Sequence, residues 1–229
     1  MVAQALGIAL GLVFAVMRLS KNPVLSAVSW FYIWFFRGTP VLVQLVIWFN
    51  LALVFQTFTI PGVYSKDMND LMTPFVAALL GLGLNEGAYM AEIVRAGILS
   101  VDEGQTEAAQ SLGMSSSQTT RRVVLPQAMR VIIPPTGNEF INMLKTSSLA
   151  SVVLFNELFR SAQNIFSSTL QTIELLFVIS VWYLVLTSVF SAGQYYVERR
   201  FSRGSSRTLP DTPLQRMRRR LVVGHRGVA

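Results

Sequence analysis

Cysteine is absent from the 229 residues, so neither a disulfide framework nor a thiolate metal site can be built, and the redox compartment stays open. Histidine occurs once, as His225 near the C-terminus, which argues against histidine-based acid–base catalysis. Charge is scarce as well, with only 14% Asp, Glu, Lys and Arg. Hydrophobic residues make up 52% and mean hydropathy is +0.49, outside the balance of a soluble globular domain. The composition therefore places the chain in a lipid bilayer.

The charge that is present is unevenly placed. Nine arginines between Arg199 and Arg226 face one acid, Asp211, and the net charge is +7. A basic run beside a membrane span fixes topology and attracts anionic lipid, at about 1 kcal/mol per residue near the surface. That placement accounts for the charge without nucleic acid, which is not an expected partner. Residues 199–229 are expected to form a disordered, membrane-hugging tail after a transmembrane domain over 1–198.

Five apolar segments read as spans: Val2 to Met17, Val41 to about Ile60, Leu71 to about Ala91, about Pro135 to Leu154, and Leu175 to Tyr196. Crossing takes about 20 apolar residues, which only the last supplies outright. The first is short, so the true start is expected upstream of Met1; a signal peptide is disfavoured because Arg18 and Lys21 follow the apolar run rather than precede it. Alternating the loops puts Arg18, Lys21, Arg37, Arg95, Arg121, Arg122, Arg130 and the tail arginines on one side, against Lys66 and Arg160 on the other. The positive-inside rule then predicts an N-out, C-in protein with the 100–130 loop in the cytoplasm. Val24 to Phe36, with Trp30, Tyr32 and Trp34, reads as an interfacial helix, since a sixth span would spoil this asymmetry. The expected fold is all-α, with no internal repeat.

The 100–130 loop is punctuated as two helices. Ser100 with Glu103 has capping-box spacing, Gly113 is placed to end a helix in a left-handed turn, and Ser115 with Gln118 repeats the capping spacing before Leu125 and Pro126. An ordinary solvated connection, a nucleic-acid helix–turn–helix and a helix that enters a groove on another protein are all compatible with this pattern. Further back, Thr39 can cap a helix that Pro40 begins.

"EAAQSLGMSSSQTTRRVVLP", Glu107 to Pro126, resembles the EAA-loop signature of ATP-binding-cassette importer permeases. Glu107, Ala108, Ala109, Gly113, Val123, Leu125 and Pro126 fill its positions, with Val123 in place of the commoner isoleucine. Phe36 to Leu45, Ala88 to Gly113 and Asn138 to Val152 are similar to the polar amino-acid branch, and the likeness covers the chain except the basic tail. The resemblance implies a multi-pass protein of a bacterial inner membrane, a type I importer core of about five helices. It implies two permease subunits, identical or different, two separate ATPases that use ATP and magnesium, and an extracytoplasmic amino-acid-binding protein. Glu107 to Gly113 would be the coupling helix. The chain itself has no G-x-x-x-x-G-K-[ST] loop and is not expected to be an enzyme or to bind a cofactor or metal.

Polar residues at membrane depth are expensive unless they face protein or water. Asn85, Glu86, Tyr89 and Glu92 in the third span, and Asn138, Glu139 and Lys145 near or in the fourth, are therefore the candidate substrate-pathway residues. Asn85, Tyr89 and Glu92 share a helix face. Structural roles compete: Glu92 can pair with Arg95, and Asn138 and Glu139 can serve backbone groups freed by Pro134 and Pro135. Glu86 and Glu92 favour a cationic substrate while Lys145 argues the other way. A stand-alone exporter or channel and a membrane-anchored interaction protein are the alternative readings, and neither needs an ATPase.

Overall fold

The computed structural model describes residues 1–61 and 64–201. In chain order it contains α1 (Val2–Arg18), α2 (Pro23–Gly38), α3 (Val41–Phe49), a 3-10 turn (Leu51–Leu53), β1 (Thr57–Ile60), β2 (Tyr64–Asp67), α4 (Met68–Leu71) and α5 (Pro74–Leu99). There follow α6 (Glu103–Ser111), α7 (Ser116–Thr119), a π-helical turn (Thr120–Val124), α8 (Leu125–Thr146), a 3-10 segment (Ser147–Val153), α9 (Leu158–Thr169) and α10 (Thr172–Phe201). Most of the basic tail, residues 202–229, lies outside the described residues, and α10 runs three residues past the expected end of the transmembrane domain at 198.

Helix α5 is the hub, with 12 of its 26 residues buried. Thr73 caps it by accepting from Val76 N–H, and Pro74 sits at the first helical position. Three clusters of buried side chains lie along it. Leu45, Ala78, Leu82, Met143, Ala150 and Val153 pack at its N-terminal end, Tyr32, Ile33, Ala88 and Ala91 at its middle, and Ala15, Val94, Ala128 and Ile132 at its C-terminal end.

Helix α1 lies against α5 through Gly7, Gly11 and Ala15, one small residue every four. A β-carbon on Gly7 would run into Glu86, and one on Gly11 into Met90 and Ala91. Lipid tails are as apolar as leucine, so such helices gain from close backbone approach rather than from hydrophobic burial. That spacing is visible in the sequence and was the unused signal for this contact.

Several expectations change. Among the described residues, α10 alone is long and apolar enough to cross a membrane by itself; α2 and α3 qualify only together, bent by 100° at the break between them. The proposed second span is therefore not a helix from Val41 to Ile60. It stops at Phe49, and the helix from Val24 to Phe36, read as interfacial, reaches spanning length and apolarity only when joined to it across that 100° bend. The break is possible because side chains replace the lost backbone bonds. Gln44 Nε2 donates to the carbonyls of Phe36 and Thr39 at 3.0 and 3.1 Å, and Asn85 Nδ2 donates to Phe36 O at 2.8 Å. Thr39 does not cap α3 but bonds back to Phe35 O at 2.9 Å.

The all-α expectation also fails locally, since β1 and β2 form an antiparallel hairpin in register Thr57 to Asp67 and Ile60 to Tyr64. Its first strand, Thr57, Phe58, Thr59, Ile60, is β-branched and aromatic and is followed by Pro61-Gly62, a hairpin signal hidden by its apolarity. The fourth helix starts at Leu125, not Pro135, with Pro134 and Pro135 inside it, and gives way to 3-10 geometry after Thr146. Thr136 Oγ1 donating to Ile132 O and Gln194 Nε2 donating to Pro134 O serve backbone near the proline pair. Helices α5 and α8 span about 39 and 33 Å at 1.5 Å per residue, long enough to cross, but neither qualifies on composition.

Candidate functional site

A cleft of about 300 Å³ opens between α5 and α8, with Val41 of α3 at its edge. From α5 it receives Leu82, Asn85, Glu86 and Tyr89, and from α8 Glu139, Asn142, Met143 and Thr146. Helical spacing explains both sets: 82, 85, 86, 89 and 139, 142, 143, 146 each follow the three-and-four step of one face. Asn142 and Thr146 were missed by sequence reasoning, although they continue the face that Glu139 begins.

Glu86 is 5% exposed, and one carboxylate oxygen accepts from Gln4 Nε2 of α1 at 2.8 Å. The amide holds the buried carboxylate in place and leaves its other oxygen for the cleft. Gln4 is a third residue the sequence reading missed, because a glutamine in a short apolar helix carries no motif. Asn85 divides its role, lining the cleft while its amide serves Phe36 O.

The remaining candidates lie elsewhere. Glu92 grips Arg95 with both oxygens, at 2.8 and 3.0 Å, and its Oε2 lies 4.0 Å from Arg37 Nη1. Arg37 also stands over the ring of Tyr89, 5.2 Å from its centre. These groups belong to a second cavity of about 550 Å³ that includes Arg18, Trp30 and Trp34. Asn138 accepts from Gln194 Nε2 of α10 at 3.0 Å, and Lys145 is exposed; neither lines the cleft. Among the described residues no group of three or more His, Cys, Asp or Glu is placed to hold a metal ion.

The Glu107–Pro126 segment forms a firm elbow. Helix α6 begins at Glu103 with Asp102 as cap, accepting from Gly104 N–H at 2.8 Å. Ser100 is not that cap: its hydroxyl donates to Gly97 O and closes α5. Gly113 has φ +80°, with its own N–H bonded to Gln110 O and Met114 N–H bonded to Ala109 O, the paired bonds of a Schellman turn. Ser115 and Gln118 form the reciprocal capping box that starts α7. Leu125 N–H then reaches five residues back to Thr120 O, just before Pro126, which has no N–H to offer. Gln127 Nε2 ties α8 to Gln105 Oε1 of α6 at 3.4 Å. Ala109 is buried on the scaffold, whereas Glu107, Ala108 and Leu112 face outward, Leu112 with 84% of its surface exposed.

Residues 7–203 match the family described as binding-protein-dependent transport system inner membrane component. The chain is 50% identical over 211 residues to the arginine transport system permease protein ArgU of Corynebacterium glutamicum, covering 91% of this chain and 66% of that protein's length. It is 42% identical to the L-cystine transport system permease protein TcyB of Bacillus subtilis, covering 86% and 79% of the two chains. A crystal structure of an amino acid ABC transporter with histidines superposes with a TM-score of 0.76 at 41% identity, covering 87% of each chain. An inward-facing structure of the MetNI methionine ABC transporter shares the fold, with a TM-score of 0.68 at 17% identity over 88% of this chain and 90% of that one. With 197 consecutive positions matched, this chain belongs to the family of binding-protein-dependent transport system inner membrane components.

Proposed function

We propose that the chain is the permease subunit of an ATP-driven importer of basic amino acids, set N-out and C-in in a bacterial inner membrane. It works with a second permease subunit, identical or different, with separate ATPase subunits and with an extracytoplasmic binding protein. The α5–α8 cleft takes the substrate, and Glu107 to Gly113 couples it to the ATPase.

The cleft carries the substrate assignment. Its lining includes two carboxylates, Glu86 and Glu139, and no Lys or Arg. Such a site favours a cationic side chain, since an unpaired charge at membrane depth is costly and a guanidinium or ammonium relieves two at once. Lys145, which argued against a cation in the sequence, is outside the cleft. The similarity to an arginine permease points the same way.

Coupling follows from rigidity. ATPase closure shifts the pathway only if the ATPase binds one permease conformation better than another, and that difference must pass through a segment that does not yield. A capped α6, a fixed glycine turn and the Gln105–Gln127 bond to α8 meet that need.

The test reconstitutes the permease with its ATPase and binding protein and measures uptake of labelled arginine and glutamine. Glu86→Gln and Glu139→Gln are expected to lower arginine uptake by about tenfold, the loss of one modest charge-assisted contact, with ATPase co-purification unchanged. Unchanged arginine uptake in both variants overturns the substrate assignment, and absence of any co-purifying ATPase overturns the importer reading.

A further inference from the structure

The second cavity holds more positive charge than it neutralises. Arg18, Arg37 and Arg95 line it, and Glu92 is the only acid among its lining residues. Glu92 is committed to Arg95 by two short bonds and stands 4.0 Å from Arg37. Arg18 spends one nitrogen on Ser26 Oγ at 2.7 Å. The Arg37 side chain makes no hydrogen bond among the described residues, keeps 43% of its surface exposed, and stands over the Tyr89 ring with its Nη1 4.0 Å from Glu92 Oε2. Three forked guanidiniums around one carboxylate leave about two positive charges facing a cavity of about 550 Å³.

The wall of the cavity is apolar. Trp30 and Trp34 stack with ring centres 6.0 Å apart, both more than half exposed, on the same helix face as the exposed Phe31 and Phe35. Indoles with an exposed apolar body and a polar N–H settle at the headgroup level of a bilayer. Arg18 ends α1 and Arg95 lies one turn from the end of α5, on the side to which the positive-inside rule assigns the cytoplasm. The cavity thus joins a cationic floor to a membrane-facing aromatic wall.

We propose that this cavity binds the phosphate group of an anionic phospholipid from the inner leaflet, with Arg37 and Arg18 as its main contacts and Trp30 and Trp34 against the glycerol and upper acyl chain. A phosphodiester accepts forked guanidinium bonds and balances the excess charge, and the cytoplasmic leaflet concentrates such lipids. The assignment rests on the orientation proposed above and is independent of the substrate carried. In this arrangement Glu92 competes with the lipid for Arg37 and Arg95.

Native mass spectrometry of the full-length chain, after exchange from phosphatidylglycerol or phosphatidylcholine into detergent, tests the proposal. The wild type is expected to keep one phosphatidylglycerol and no phosphatidylcholine. Replacing Arg18→Gln and Arg37→Gln together should reduce retention by roughly thirtyfold, the effect of two basic residues at a membrane surface, with the nine tail arginines present throughout. Glu92→Gln should increase retention by freeing Arg37 and Arg95, a gain that a merely structural ion pair does not produce. Equal retention of the two lipids, full retention by the folded double-arginine variant, or loss in Glu92→Gln overturns the proposal. Displacement of the lipid by low-millimolar inorganic phosphate assigns the site to the aqueous ion and overturns the lipid assignment.

Discussion

Gly113 offers a substitution series whose outcome separates backbone conformation from bulk. Its φ of +80° lies where a β-carbon is crowded by its own backbone, and nothing else lies within 4 Å of the place where a β-carbon would be. The penalty for a side chain is therefore conformational, about 1–2 kcal/mol for an ordinary L-residue, with asparagine spared most of it by its tolerance of left-handed geometry. That penalty corresponds to a roughly 5- to 30-fold shift away from the native α6 terminus. The expected order of coupled uptake is Gly, then Asn, then Ala, then Val, with membrane insertion equal in all four. The assay is substrate-dependent ATP hydrolysis and uptake in proteoliposomes, beside the amount of co-purified ATPase. A steric clash with the ATPase groove gives a different order, because alanine is smaller than asparagine. Alanine outperforming asparagine, or valine behaving as wild type, refutes the conformational argument.

Asn85→Ala is expected to cost about 0.5–1.5 kcal/mol of stability, since Gln44 still serves Phe36 O, while Gln44→Ala, which also serves Thr39, costs more. Thermal unfolding of the detergent-solubilised protein checks this, and the reverse order removes the account of the break between α2 and α3. Gly11→Leu should overpack the α1–α5 contact by about 1–3 kcal/mol or more, with Gly38→Ala, where nothing lies within 4 Å, as the neutral control. Equal melting temperatures for the two variants refute the close-packing argument.

How much was readable in advance depends on whether the signal was local. The left-handed Gly113 and the Ser115–Gln118 capping box are set by a few neighbouring residues, and both stand where the spacing puts them. The apolar run of α10 is long enough to need no partner. The broken α2–α3 element was not readable, because its continuity depends on Gln44 and Asn85, one of them 49 positions away from the carbonyl it serves. Prolines mislead for a related reason. They ordinarily end helices, yet Pro134 and Pro135 sit within α8, where Gln194 of α10 bonds to Pro134 O. In the cleft, polarity at membrane depth identified Asn85, Glu86, Tyr89 and Glu139. It could not separate them from Glu92, Asn138 and Lys145, which differ only in where their helix faces turn.

Helix α8 passes from the elbow to the cleft, with Gln127 bonded to α6 at one end and Thr146 in the cleft at the other. Treated as a lever about 33 Å long, a tilt of about 5° around its elbow end carries the Thr146 end sideways by about 3 Å. That stroke is close to the width of a water molecule, so an angular change too small to notice at the elbow is enough to admit or exclude one layer of solvent around a bound side chain.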